Sequence, residues 1–219
     1  MTQADTMRQT TRLYFYTLGI FAVMQVIAIV NGGVGAQEPF EVYHPASVYA
    51  PELASAGASL RLMLALDLLF MIGYGSAIGL TAWLFSDRFK VMGWLAGIGI
   101  LSVVMADLIE NLHMLMSLEL VVAGQDLTEG RIVFQAFVSG LKWFLAALTL
   151  VALSFILPRD TILEKTLIWL ARITMPVGAA LFVTGALDLR LAGGVLILAG
   201  MGGGLGLLSI VMHLRCRQI

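Results

Sequence analysis

"VMGWLAGIGILSVVMADLIENLHMLMSL", residues 91–118, decides how the chain is read. It is long enough to cross a bilayer as helix, which takes about 20 residues, yet Asp107, Glu110, Asn111 and His113 sit inside it. In a soluble protein these residues would mark a solvated face. The rest of the chain argues otherwise: 59% of its 219 residues are hydrophobic and only 12% are charged, whereas soluble domains carry about 25% charged residues. Mean hydropathy is +0.93. Residues 91–118 therefore read as a membrane span with polarity in its interior.

Five further apolar runs of spanning length flank it, at approximately 13–30, 60–85, 132–157, 167–187 and 191–212. The expected fold is all-α, an integral membrane six-helix bundle forming one transmembrane domain in the lipid bilayer. Six spans put both termini on one side. Arg8, Arg12, Arg88, Lys90, Arg159, Lys165, Arg215 and Arg217 fall on that side, against Arg61, Arg131 and Arg190 on the other. By the positive-inside rule the termini are expected in the cytoplasm and the protein in the plasma (inner) membrane. The first run, with Val34-Gly35-Ala36 after it, imitates a secretory signal. At about 18 residues it exceeds a typical signal core of about 7–15, so it reads as a retained span.

The formal net charge of −1, from 13 basic and 14 acidic residues, supplies no basic stripe for nucleic acid. One cysteine, Cys216, excludes an intrachain disulfide. Its place between Arg215 and Arg217 is compatible with palmitoylation. Two loops face away from the termini. Residues 31–59 are too rich in Gly, Pro and Ser for a continuous helix, while Phe40, Tyr43 and Tyr49 give them material to pack. They read either as a lid over the outer end of the bundle or as a connector resting on the membrane surface. The second loop, 119–130, carries Glu119, Asp126 and Glu129 and no motif.

Charged side chains near the bilayer centre cost about 2.5–3.5 kcal/mol each, so those that persist tend to face the bundle interior with partners. Counted from the outer end of each span, Gln25 lies about six residues in, Asp67 and Glu110 about eight, and Asp107 and Lys142 about eleven. At 1.5 Å per residue they share a layer roughly 9–17 Å deep. Their faces agree. Asp107, Glu110, Asn111, His113 and Met114 form one stripe on span three, Arg131, Gln135, Ser139 and Lys142 one on span four, and Asp67 and Tyr74 one on span two. The layer sets three carboxylates, Asp67, Asp107 and Glu110, against Lys142. That imbalance calls for protonation, a bound cation, or help from Arg61 and Arg131. The first two are functional states, and the third would be a polar network that fixes helix register.

Glu110 and His113 have the Glu-x-x-His spacing of di-iron bundles, but it occurs once, and the other histidines, His44 and His213, lie outside the layer. A single ion on Asp107, Glu110 and His113, with Asp67 or His44 added, is a weaker expectation, because the Lys142 ammonium competes for the same carboxylates. Lys142 as a Schiff-base lysine has no other support. Trp83, Trp94 and Trp143 read as packing or lipid contact, and the twelve methionines as apolar filler. Pro176 is expected to kink span five, and Arg172 to snorkel to the cytoplasmic surface. In "AGMGGGLG", residues 199–206, Gly200 and Gly204 are four apart, as are Gly202 and Gly206. This face suits packing against span five, or contact with a second copy or another membrane partner.

The pair "ALDLLFMIGYG" and "ADLIENLHML" resembles paired motifs in small bacterial multi-spanning membrane proteins. The resemblance covers spans two and three, and implies that Asp67, Asp107, Glu110 and Asn111 belong together without implying an activity. No nucleophile-base-orienter set or phosphate loop is present, and no cofactor is indicated. The leading expectation is a site that binds or moves a small cation, a proton-coupled solute or an amphiphile. The alternatives are an accessory subunit of a membrane complex, and an intramembrane enzyme acting on a lipid or isoprenoid. No inverted repeat favours a carrier outright.

Overall fold

A computed structural model describes residues 2–184 and 187–217. Those residues are all-α, with no strand, and fold into six helices long and apolar enough to cross a membrane. They are α1 (Gln3–Val30), α2 (Ala46–Phe85), α3 (Lys90–Val122), α4 (Glu129–Ile156), α5 (Ile162–Val183) and α6 (Leu187–Cys216). Each helix packs on its neighbours in sequence, and α1 closes the circle against α6. The edge of Phe15 on α1 meets the His213 ring on α6, with centroids 6.2 Å apart.

Local chemistry sets the helix limits. Thr2 with Asp5 and Thr161 with Glu164 form capping boxes that open α1 and α5. Gly124, at φ +75°, supplies the left-handed residue that turns the chain after α3. Residues 185 and 186, inside the fifth span expected from sequence, lie outside the described residues.

The connector read as 31–59 is shorter than its composition suggested. Helix α2 starts at Ala46 and bends at Gly57, whose φ of 30° and ψ of −111° break the helical path. Residues 46–56 thus form a helical arm before the span. Pro45 cannot cap it, and the Glu129 carboxylate of α4 does so instead, accepting the Ala46 N–H at 2.9 Å. Tyr49, Leu53 and Ala56 on the arm, with Phe40, pack on Leu118, Leu127 and Ile132. The segment packs over one end of the ring as a lid, seated on α3 and α4.

Small residues let the helices approach. A Cβ on Gly73 would meet Thr17 Oγ1 of α1 at 2.5 Å, and one on Gly75 would meet Val104 Cγ2 of α3 at 2.7 Å. On α6, Gly200 packs on Met175 of α5 and Gly202 on Phe21 of α1, whereas Gly204 and Gly206 have open space at the Cβ position. Arg215 clamps the terminal end, pairing with Asp160 at 2.5 Å and Glu164 at 2.6 Å. Arg172 reaches along α5 toward the last turn of α4, where its Nε donates to Ser154 at 2.8 Å and its guanidinium lies 4.4 Å from the Phe155 ring centroid. Pro176 is carried within α5.

Candidate functional site

The site is centred on Lys142 Nζ. It lies 2.5 Å from Glu110 Oε2, 3.0 Å from Glu41 Oε1 and 3.3 Å from Asp107 Oδ1. Lys142 is 6% exposed and Glu110 1%, so these pairs are shielded from solvent and their carboxylates need further donors. Those donors are present. Tyr74 of α2 donates to Asp107 Oδ2 at 2.8 Å, Ser139 of α4 donates to Glu110, and the Trp143 indole N–H donates to Glu41 Oε2 at 2.7 Å. Lys142 Nζ also lies 4.7 Å from the Trp143 ring centroid, within cation–π range.

A second pair adjoins the first. Asn111 of α3 donates to Asp67 Oδ2 of α2 at 2.6 Å and accepts from Gln37 of the loop at 3.4 Å. Asp67 has no cationic partner within ion-pair distance among the described residues.

The residues expected from sequence separate into three environments. Tyr74, Asp107, Glu110, Ser139 and Lys142 form the linked network, with Asp67 and Asn111 as the pair that adjoins it. Gln25 of α1 lines the cavity beside it. His113 and Gln135 pair with each other, Nδ1 to Oε1 at 2.8 Å, and the His113 ring meets the edge of Phe134. His113 is therefore turned to Gln135 and Phe134, away from a ligand set with Asp107 and Glu110. Among the described residues, no three His, Cys, Asp or Glu side chains converge as a metal site.

Two sequence readings are corrected. Arg61 and Arg131 do not neutralise the layer: Arg61 pairs with Glu119 at 2.7 Å, and Arg131 donates to Ser117 at 3.3 Å. Trp143, read as packing or lipid contact, is a hydrogen-bond donor within the site. Glu41 was missed altogether. It follows the short 3-10 turn Glu38–Phe40 and is 5% exposed, held down by Phe40 and Val42 on either side. Its only signal is position, an acidic residue among apolar ones in "EPFEVY". Glu38 keeps an exposed face at the same mouth, yet partial enclosure and the nearby Glu41 carboxylate push its carboxyl above the ordinary range.

With Glu41 included, the layer holds four buried carboxylates, Glu41, Asp67, Asp107 and Glu110, and one buried ammonium, which pairs with all of them but Asp67. The layer is more acidic than the sequence count implied. It caps a cavity of about 200 Å³ within the ring, lined by residues of all six helices. No family model, curated protein or solved structure matches the chain.

Proposed function

We propose that this protein binds, and in its full cycle moves, a solute that exchanges charge with the carboxylate cluster: a small cation, a proton-coupled solute or an amphiphile. The observation that carries the reading is Asp67. It is a buried carboxylate facing the cavity with no cationic partner among the described residues. Compensation for its charge would have to come from something that enters the cavity, a proton or a cation.

In this reading Glu110, Asp107 and Glu41 fix Lys142, Tyr74 and Ser139 orient the carboxylates, and Asp67 with Asn111 receives the incoming charge. In this reading the termini face the cytoplasm and the site lies in the outer half of the plasma (inner) membrane, an orientation that the loop charges support. The solute is thus taken from the outer side, past the mouth formed by Gln37, Glu38 and Glu41.

Native mass spectrometry of protein extracted gently from its own membrane tests this without assuming a substrate. A reproducible added mass, absent from Glu110→Gln and Asp67→Asn, is the expected result. A chain that emerges bare in both wild type and variants refutes the binding role. Emergence only with other polypeptides would favour a subunit of a larger complex instead.

A further inference from the structure

Beneath the charged layer the cavity changes character. Its deeper walls are Ile100 and Val103 of α3, Leu153 of α4, Leu167 of α5, and Leu205 and Leu208 of α6. Thr149 also lines it, but its hydroxyl is satisfied within α4 by the Leu145 carbonyl at 2.7 Å. The lining residues of α6 run from Gly194 to Leu208. Over a continuous helix this is about 21 Å of axis at 1.5 Å per residue. A small hydrated ion has no use for such a space, whereas an apolar cavity of about 150 Å³ already accepts a benzene-sized molecule.

The two ends therefore differ in chemistry. At the mouth, Glu38, Glu41, Asp67 and Asp107 face the cavity against Lys142 alone, an excess of negative charge that selects a positive group. Phe21, Phe70 and Tyr74 form a run of aromatic contacts along the adjoining wall, with centroid separations of 5.8 and 5.2 Å, and aromatic faces attract cations. Gly204 lines the tail end and has no atom within 4 Å of its Cβ position. The glycine-rich face of α6 thus leaves room where a side chain would otherwise fill the slot.

We propose that the ligand is a single-chain amphiphile with a cationic head, an alkyl amine or quaternary ammonium, whose head sits among Glu41, Asp67 and Asp107 and whose tail runs down the ring past Gly204. This rests on the reading of the Lys142 cluster as a binding site and adds the ligand's shape and sign. Glu41 and Asp67 recognise the charge, Trp143 holds Glu41 in place, and the leucine-lined end measures the chain.

The test is equilibrium binding of radiolabelled hexyltrimethylammonium to the full chain in phosphatidylcholine nanodiscs, with empty nanodiscs subtracted. The proposal predicts saturable binding of one molecule per chain. A large excess of tetramethylammonium or of hexyl sulfate should fail to displace it, and hexylamine should succeed. Glu41→Gln should weaken it about tenfold or more, as expected when one side of a buried charge contact is lost. Gly204→Leu, which fills open space without a clash, should weaken it to a similar degree while the protein keeps its wild-type unfolding temperature. Displacement by tetramethylammonium, with binding untouched by Gly204→Leu, would overturn the amphiphile and leave a small-cation site standing. Displacement by hexyl sulfate would overturn the cationic head. Absence of saturable binding by either ammonium probe would overturn both this assignment and the site it rests on.

Discussion

Lys142 can be buried only because its partners are buried with it. Removing the ammonium strands Glu41, Asp107 and Glu110 together, and breaking a buried pair from one side costs about 3–5 kcal/mol. Lys142→Met is therefore expected to lower the thermal unfolding midpoint in detergent, and adding Glu110→Gln should recover part of the loss because fewer charges are left uncompensated. At the mouth, Glu38 should titrate above an exposed glutamate in a carboxyl carbon-13 NMR titration. Glu41→Gln should move that midpoint back down, since it removes the neighbouring negative charge that favours the protonated form. An unchanged midpoint would separate the two carboxylates electrostatically.

Asp107, Glu110 and Lys142 could be placed on one level from sequence because helical rise converts residue counts into depth, and they do lie within ion-pair distance. Glu41 could not be placed in this way. A loop has no period, so nothing in "EPFEVY" states which side chain turns inward. The same limit hid the Trp143 hydrogen bond and the pairing of His113 with Gln135, because a helical face names a direction and not a partner.

At the scale of the elements, the spans follow from apolar length, and their limits moved where capping or tertiary contacts intervened. The arm at 46–56 is the clearest example. Its Pro and Ser content argues for a loop, but Tyr49 and Leu53 bury themselves on α3 and α4, and Glu129 supplies the cap that Pro45 cannot. Glu129→Ala should cost about 0.5–2 kcal/mol, the usual range for loss of a cap, and raise hydrogen exchange over the first turn of α2. Exchange confined to its present rate would show that the arm holds without this cap. The close approach of α1 and α2 at Gly73 depends on the missing side chain. Gly73→Leu would drive atoms into Thr17, and overpacking of that kind costs about 1–3 kcal/mol. Gly203→Leu, with open space at its Cβ, should unfold at the wild-type temperature.

For the whole molecule, the circular order of six helices explains why a cavity exists. A tighter bundle would fill its own centre, whereas a ring closed by α1 on α6 leaves a slot that every helix lines. The apolar runs announced six spans, but not the closure, since the Phe21 contact with Gly202 joins residues from the two ends of the chain. The lid from 31 to 56 completes the arrangement by bringing Glu41 onto Lys142 across the mouth. That contact between lid and ring closes the mouth over the cavity that Asp67 lines.

A double-mutant cycle of Glu41→Gln and Lys142→Met, read from unfolding free energies in lipid bicelles, tests it most directly. Coupling of about 1.5 kcal/mol or more is predicted, at the lower end of values measured for close buried charge pairs. Additivity of the two substitutions within about 0.3–0.5 kcal/mol, as for residues that do not touch, would contradict it.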